Sequence, residues 1–329
     1  MNEVKEFYEQ YPYPFAELKT NSNLKGATLL KLIAHEIKQN IFDGKLFLDA
    51  GCGTGHRILD VARAFPNSQI LAIDFSETSI DLAQKQAAQD KIHNIKFEIS
   101  NIMEYDTEQL YDVITINGVI NHLSEPRKSI ANLSRFLKED GILIAFIAHT
   151  YGEYYKLLHR KVLQTLLSQQ KHNFEEGVEL MREMNFRIST DRFGQTYGNE
   201  LSQKDELSKD ADAFLHPQWM TFTFQEAIEL FKNPYLDWVS IEQIVGEDTK
   251  SFILELNQSN AKFFWILDIK SLLKSEKAYK YYQNLSIIER IQIIELMAKP
   301  TGFTLIAGKS NSIVLQSKRI RENSIFLVE

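Results

Sequence analysis

The sequence predicts an α/β fold built on a doubly wound, mainly parallel β-sheet with helices on both faces. Short apolar runs alternate with amphipathic helical stretches between residues 45 and 149, which is the rhythm of βαβ units. A glycine-rich turn follows the first apolar run, and an acidic residue ends the second. Because βαβ units are right-handed and place their strands parallel, these observations together predict a doubly wound sheet.

Five apolar runs predict the strands of the central domain, which we place at residues 43–150. They lie at residues 46–48, 69–73, 95–99, 111–116 and 141–147, with helices expected between them at 56–65, 79–89 and 126–137. Two later runs, Trp238–Val245 and Gly302–Gly308, have the same apolar character. We therefore expect residues 223–329 to complete the sheet and to hold a further helical insertion at 263–297.

Helical segments are expected on both sides of the central domain. Residues 1–42 are expected to form an N-terminal helical cap, which Pro12 and Pro14 interrupt because proline lacks a backbone donor. Residues 151–222 are expected to form a helical lid, since residues 154–166 carry an apolar stripe at helical spacing. The polar stretch 191–212 contains two glycines, so we expect it to be a loop and the most mobile part of the lid.

The composition is that of a soluble protein and argues against several classes. Net charge is −7 over 329 residues, and we interpret the basic residues Lys318, Arg319 and Arg321 as a solvated surface turn, so no nucleic-acid partner is expected. The start is not that of a signal peptide, and no apolar run reaches the ~18–20 residues of a membrane span. The single cysteine, Cys52, and the spacing of the histidines predict neither a disulfide nor a metal site. We expect a cytoplasmic protein.

The turn after the first strand has the sequence Asp49-Ala-Gly51-Cys-Gly53-Thr-Gly55. Glycines here permit positive φ and let the backbone approach a ligand closely. The position, directly after the first strand of an open parallel sheet, is where such folds bind nucleotides. The dinucleotide fingerprint G-x-G-x-x-G would need a glycine where His56 stands, so a different nucleotide-like ligand is indicated.

Polar residues also follow the other strands. Asp74 ends the second strand, where a carboxylate accepts two hydrogen bonds from a ribose diol in dinucleotide folds, although a helix N-cap is an alternative role. Phe75 is expected to lie against an adenine face. Asn101 and Ile102 follow the third strand, and Asn117 ends the fourth. Because the carboxyl ends of parallel strands meet at one edge, these residues predict a single binding site.

The spacing D-x-G-x-G-x-G from Asp49 to Gly55 resembles that of class I methyltransferases that use S-adenosylmethionine (SAM). The resemblance implies SAM as cofactor and a seven-stranded Rossmann-like sheet. Where the family usually has aspartate, Asn101 keeps a carbonyl acceptor for the adenine amino group, and the Ile102 N–H would meet the ring nitrogen. The stretch from Asn117 to Leu123 is similar to the family's G-V-x-H-H-L, in which the strand end faces the methionine half.

More distant motifs resemble a bacterial branch of this family that is often joined to tetratricopeptide repeats. They lie at residues 11–14, 212–217, 221–223, 286–290 and 295–297. The chain itself contains no internal repeat. The branch does not imply one particular methyl acceptor.

Methyl transfer from a sulfonium is an in-line displacement, and a base is needed only when the acceptor is protonated at neutral pH. The expected candidates are His122, His149 and Tyr13. For His122 the alternative is capping of a loop, and for Tyr13 it is packing beside the two prolines. Tyr151 and His216 also lie in suitable segments, but we interpret them as a buried aromatic and a loop end.

The sequence thus predicts a methyltransferase that acts on a small-molecule or peptide-like acceptor, with a homodimer as a candidate assembly. Two alternatives stay open. A nucleic-acid methyltransferase would be expected to have a basic surface and an Asn/Asp-Pro-Pro-aromatic motif, whereas residues 117–120 read Asn-Gly-Val-Ile. A SAM-binding partner without catalysis would carry the same cofactor motifs.

Overall fold

A computed structural model describes residues 2–18, 26–168, 174–186, 201–245, 253–254, 264–265 and 269–327. The helices before the first long strand are α1 (Asn2–Gln10) and α2 (Thr28–Ile37). The others are α3 (His56–Ala64), α4 (Glu77–Gln89), α5 (Pro126–Ser134), α6 (Tyr154–Leu166), α7 (Phe174–Glu183), α8 (Gln203–Phe214), α9 (Phe224–Phe231), α10 (Ile269–Leu273), α11 (Glu276–Gln283), α12 (Ile287–Ala298) and α13 (Lys318–Asn323). In this part of the chain, no helix has the length and apolarity needed to cross a bilayer.

The main sheet has eight strands, in the order β10-β6-β9-β5-β4-β1-β2-β3. These are β1 (Leu46–Ala50), β2 (Gln69–Asp74), β3 (Ile95–Ile99), β4 (Tyr111–Asn117), β5 (Leu137–Ala148), β6 (Trp238–Val245), β9 (Gly302–Gly308) and β10 (Ser324–Phe326), while β7 (Ile253–Leu254) and β8 (Phe264–Trp265) form a separate pair. The predicted α/β class is confirmed. The strand β10 adds an antiparallel edge to the seven strands that the resemblance implied.

The chain divides into two compact units. The first contains Met1–Lys31, Asn40–Asp106 and Tyr155–Trp219, and the second contains Leu32–Gln39, Thr107–Tyr154 and Met220–Glu329. In the first unit, β1 pairs in parallel with β2, which pairs in parallel with β3. An aromatic cluster joins α1 to the later helices of this unit, because Phe7 and Tyr11 pack with Val178 of α7 and Ala211 of α8.

In the second unit, β4 is buried over six consecutive residues and pairs in parallel with β5. The strand β9 is buried along its whole length and lies antiparallel between β5 and β6. Burial of both faces explains why β9 has an almost continuous apolar run in the sequence, whereas β6 is only partly buried and contains Ser240, Glu242 and Gln243.

The helix α8 corrects the prediction of a loop at 191–212. Residues 191–200 lie outside the described parts of the chain, but Gln203–Phe214 is helical. Ser202 and Asp205 form a capping box, which satisfies the first amides of the helix. The helix buries Ala211, Ala213 and Phe214, so apolar anchors hold this part of the predicted mobile stretch.

The interpretation of Arg319 as part of a solvated turn is also wrong. Its guanidinium pairs with Glu36 of α2, with Nε 2.7 Å from Oε1, and also contacts Glu242 of β6. The side chain of Arg319 is 16% exposed, and that of Glu242 is fully buried. Only Lys318 and Arg321 are exposed, because Arg319 compensates two carboxylates of the second unit.

Candidate functional site

The turn between β1 and α3, called the glycine loop below, folds with positive φ at each predicted glycine. The φ angles are 82° at Gly51, 51° at Gly53 and 81° at Gly55, which other residues rarely adopt. The amides of Gly51 and Cys52 both donate to the carbonyl of Ile73, at 2.8 and 3.0 Å. The loop is therefore held against the end of β2.

A second backbone segment, residues 11–16, lies directly on the glycine loop; we call it the strap. The Thr54 amide donates to the carbonyl oxygen of Tyr13 at 3.1 Å. A Cβ on Gly53 would stand 2.5 Å from that same oxygen, so only glycine permits this approach. The structure thus brings Tyr13 to the predicted loop through its main chain, and its side chain is half-buried.

Two further bonds fix the strap. The Phe15 amide donates to Thr54 Oγ1 at 3.4 Å, and the Ala16 amide donates to Asp205 Oδ1 at 2.9 Å. Asp205 is fully buried, and its other oxygen accepts the Ser202 amide in the capping box of α8. One carboxylate therefore joins the first turn of α8 to the strap.

The carboxylate of Asp74 links the end of β2 to the glycine loop. Oδ2 accepts the Gly53 amide at 2.8 Å, and Oδ1 accepts the Ser76 amide at 3.0 Å. A carboxylate has about four acceptor positions, so these bonds leave acceptor capacity for the predicted ribose contact. Burial raises the pKa of Asp74, and the backbone hydrogen bonds oppose that rise. The N-cap of α4 is Ser76, whose hydroxyl accepts the Ser79 amide, so the alternative role for Asp74 does not hold.

Glu9 of α1 holds the segment that follows Asp74, a role that the sequence did not suggest. Its Oε1 accepts the Glu77 amide at 2.8 Å, and its Oε2 accepts the Thr78 amide at 3.1 Å and the Thr78 hydroxyl. Burial acts to raise the pKa of Glu9, but the bonds from Thr78 and Glu77 outweigh it and lower the pKa. The free amides at the start of α4 are thus capped by a different helix.

The residues predicted to contact adenine lie in the same unit. Phe75 is half-buried and its ring meets that of Tyr8 edge-on, with centroids 6.3 Å apart. Asn101 Oδ1 accepts the Met103 amide at 3.1 Å, which holds this side chain in the turn after β3. Ile102 is buried beside this turn. Asp49, near the end of β1, is 4% exposed and lies in register with Ala72.

The second unit contains the other predicted residues. Asn117 ends β4 in register with Phe146, and Gly118 turns the chain with a φ of 74°. A short 3-10 helix, Ile120–His122, follows and leaves His122 half-buried. Asn121 is buried and accepts the Ala148 amide at 2.9 Å, while its own carbonyl accepts the Met220 amide at 2.8 Å. Asn121 therefore fastens the end of β5 to the segment before α9.

His149 is fully buried at the end of β5, and both of its ring nitrogens have partners. Nδ1 accepts the Tyr151 amide at 3.1 Å, so Nε2 carries the hydrogen and donates to Glu295 Oε2 at 3.0 Å. The same glutamate oxygen accepts the Phe224 amide at 2.8 Å. Proton transfer at His149 would require one of these bonds to break. The geometry therefore favours a structural role, in which His149 and Glu295 join the end of β5 to the start of α9.

His56 stands where a dinucleotide site would have its third glycine, and it packs under the strap. Its ring meets Phe15 edge-on at 4.5 Å, and Nδ1 lies 3.1 Å from the Thr54 carbonyl. Nε2 is buried with no hydrogen-bond partner among the described residues. Burial lowers the pKa of His56 to about 4, and the Thr54 carbonyl only partly opposes that shift.

We expect His56 to make the first unit sensitive to mild acid. In the folded protein the His56 imidazole stays neutral down to about pH 4, because its pKa is about 4. In the unfolded chain the same group takes up a proton near pH 6.5. Stability is therefore fully present above pH 6.5 and falls as the pH is lowered to about 4, by up to about 3 kcal/mol. Urea unfolding of the parent and His56→Phe across this range checks the expectation. The same pH dependence in both proteins would assign the loss to other groups.

Comparison with known proteins agrees with this geometry. A family described as "Methyltransferase domain" matches residues 41–205. The chain is 35% identical over 97 residues to malonyl-[acyl-carrier protein] O-methyltransferase of Bacillus cereus, covering 30% of this chain and 35% of the relative. It is 28% identical over 296 residues to an uncharacterised protein of Synechococcus sp., covering 85% of this chain and 66% of the relative.

Among solved structures, PKMT2 from Rickettsia typhi in complex with AdoHcy has a similar fold. The TM-score is 0.59 at 18% identity, and the match covers 92% of this chain and 54% of that protein. At this identity the likeness concerns the fold alone. The matched regions span from about a third to two thirds of the three relatives' own lengths.

Proposed function

The chain belongs to the methyltransferase-domain family, and from that premise we propose that it transfers a methyl group from SAM to a small-molecule or peptide-like acceptor. One observation carries the proposal: three glycines with positive φ follow β1, and the Gly53 amide donates to Asp74 at 2.8 Å. This arrangement joins the loop that approaches a nucleotide-like ligand to the carboxylate that binds its ribose.

The described residues fit SAM in their donor and acceptor chemistry. Asp74 is proposed to accept from the ribose diol with its remaining acceptor capacity, and Phe75 is proposed to offer its ring to adenine. The Asn101 carbonyl oxygen is proposed to accept from the adenine amino group, and the Ile102 amide is proposed to bind the ring nitrogen. The glycine loop is proposed to carry the backbone that faces the methionine half. The contacts of Asp49 and Asn117 also stay proposals.

When bound, SAM supplies a methyl group activated on a sulfonium. The chain's task is to orient the acceptor in line with the breaking bond and to exclude water, effects that can lower a barrier by about 7–11 kcal/mol. We propose that the strap supplies part of this exclusion, because it lies on the glycine loop through Tyr13 and is fixed by Asp205. Tyr13, His122 and His149 remain the proposed proton acceptors, with a structural role favoured for His149.

The proposed domain organisation assigns acceptor binding to the helical segment 151–222. Contacts in the first unit support that assignment, since α7 and α8 pack on α1 beside the glycine loop and the strap. We keep residues 1–42 as a cap, 43–150 as the SAM-binding core and 223–329 as the completion of the sheet. The bacterial branch, the cytoplasmic location and a homodimer are likewise proposals that rest on the sequence.

We expect calorimetry to show micromolar-range binding of SAM and S-adenosylhomocysteine, with no binding of NAD. Asp74→Ala should weaken SAM binding by about tenfold to a hundredfold, because a charge-assisted bond contributes roughly 1.5–3 kcal/mol. Asn101→Ala is the matched variant, and we expect a smaller loss because its contact is neutral. Binding of NAD without SAM would refute the cofactor assignment.

Turnover distinguishes the enzyme from a SAM-binding partner. Labelled SAM is incubated with amine, hydroxyl and carboxylic acid acceptors, and formation of S-adenosylhomocysteine is followed. We expect acceptor-dependent product that Asp74→Ala reduces in parallel with SAM affinity. Tight SAM binding with no acceptor-dependent turnover would favour the non-catalytic alternative.

A further inference from the structure

A phenol–carboxylate pair lies in the first unit, formed by the half-buried Tyr8 of α1 and the buried Asp212 of α8. The Tyr8 hydroxyl donates to Asp212 Oδ1 at 3.0 Å. Asp212 is 8% exposed, and within the described parts of the chain no hydrogen bond reaches its second oxygen, Oδ2. Because Oδ2 is not among the fully buried polar atoms that lack a partner in the described parts of the chain, it keeps some contact with solvent and can accept a hydrogen bond from a ligand donor.

The pair lies beside the proposed cofactor residues. The ring of Tyr8 meets Phe75 edge-on, and the phenol is close enough to Asp74 and Tyr13 for their charges to affect it. Burial, and then the charge and hydrogen bond of Asp212, raise the pKa of Tyr8 well above its ordinary value. Tyr8 therefore stays protonated and acts as a donor, which leaves Asp212 as the group that can accept from a ligand.

The Arg160 guanidinium lies near the pair, and its hydrogen bonds go to other groups. The Arg160 guanidinium donates to the carbonyls of Ala213 and His216, at 2.9 and 2.6 Å, and lies 5.4 Å from the Trp219 ring centroid. Burial lowers the pKa of Arg160 to about 10, while Asp212 and Tyr8 oppose that shift, so Arg160 stays charged at neutral pH. Arg160 therefore lies close enough to Asp212 for their charges to interact, and it forms no hydrogen bond with Oδ2.

We propose that Asp212 binds the amino group that receives the methyl group, so that the acceptor is an amine. The inference rests on the proposed function and adds the substrate class. A carboxylate or phenolate nucleophile would have to enter beside the buried carboxylates of Asp74 and Asp212, and like charges in such surroundings repel strongly. An ammonium group pairs with Asp212 on arrival, and its methylated product is again a cation.

In the proposed step, Oδ2 of Asp212 takes a proton from the ammonium and leaves a neutral amine. The lone pair of that nitrogen forms the new N–C bond to the methyl carbon. The C–S bond breaks, and its electron pair stays on sulfur, which gives S-adenosylhomocysteine. The product nitrogen carries the positive charge, Asp212 releases its proton to solvent, and Tyr8 donates to Oδ1 throughout.

The test uses the whole chain saturated with S-adenosylhomocysteine and two probes of matched shape, phenethylammonium and phenylacetate. Calorimetry measures the affinity of each probe. We expect phenethylammonium to bind the parent at least about tenfold more tightly, because only the ammonium can donate a charge-assisted bond to Asp212. Asp212→Asn retains the shape and the acceptor for Tyr8, and it should lose this preference.

Two control variants test whether the preference for the amine depends on the Asp212 carboxylate itself. Asp210→Asn removes a carboxylate of the same helix, 3.7 Å from Lys209 Nζ, and should keep the amine preference. Tyr8→Phe leaves the Asp212 carboxylate in place and should keep it too. Equal or reversed affinities in the parent, no binding of either probe, or a preference that survives Asp212→Asn would overturn the proposal. SAM affinity is measured on the same preparations, so a failure of the cofactor assignment is recognised separately.

Discussion

Gly53→Ala is expected to weaken SAM binding by about a hundredfold or more. The new Cβ would stand 2.5 Å from the Tyr13 carbonyl oxygen, in backbone contact that no side-chain rotation relieves. The strap must move, and the bond from the Thr54 amide to Tyr13 is then lost. Positive φ at this position adds about 1–2 kcal/mol of strain for any residue with a Cβ. Calorimetry with SAM measures the loss of affinity, and urea unfolding measures the loss of stability caused by the backbone strain.

Gly44→Ala is the matched control for this variant. Gly44 has a φ of 76°, and a Cβ there would meet nothing within 4 Å. It therefore carries the backbone strain without the collision, and SAM affinity should stay at the parental value. If Gly53→Ala binds SAM as tightly as Gly44→Ala does, the contact between strap and glycine loop has no part in cofactor binding.

Arg319→Met should lower the free energy of unfolding by about 3–5 kcal/mol, because it leaves two carboxylates without their cation. Glu36 is paired through Nε at 2.7 Å and Nη2 at 3.2 Å, and Glu242 is fully buried. Methionine keeps most of the apolar stem, so the loss reports on charge rather than on packing. The shift in the urea midpoint gives the value.

Arg321→Met, in the same helix, removes an exposed arginine and should change stability by less than about 0.5 kcal/mol. Equal effects of the two substitutions would show that the buried cluster around Arg319 contributes no more than a surface charge. Glu242→Gln provides a second check, because it removes the carboxylate partner of Arg319 instead of the arginine. This substitution should also destabilise the second unit.

The long strands of the main sheet were predictable because apolar residues, many of them β-branched or aromatic, dominate each one. Trp238–Val245 and Gly302–Gly308 were located to the residue for that reason. The helix α8 was missed because its polar surface resembles a loop, although the Ser202-x-x-Asp205 spacing signals a capping box. The strand β10 is only three residues long and carries too little periodicity to identify.

The glycine positions and Asp74 were predictable because local backbone needs and strand ends determine them. Glu9 and Asp212 were not, since each acts on a partner far away in the chain. Glu9 meets the amide of Glu77 across 68 residues, and Tyr8 meets Asp212 across 204. Pattern analysis detects neighbours at helical or strand spacing, whereas these pairs exist only once the helices have packed. The placement of His149 against Glu295 depends on tertiary structure in the same way.

Three hydrogen bonds that hold the strap use its main-chain atoms, namely the carbonyl of Tyr13 and the amides of Phe15 and Ala16. Main-chain atoms are the same whatever side chain is attached. Substitution of the half-buried Tyr13 side chain would therefore leave these attachments in place. On the proposal that the Tyr13 side chain faces the acceptor, substitutions of that side chain would alter the choice of acceptor, while Gly53 and Asp205 would keep the strap in position.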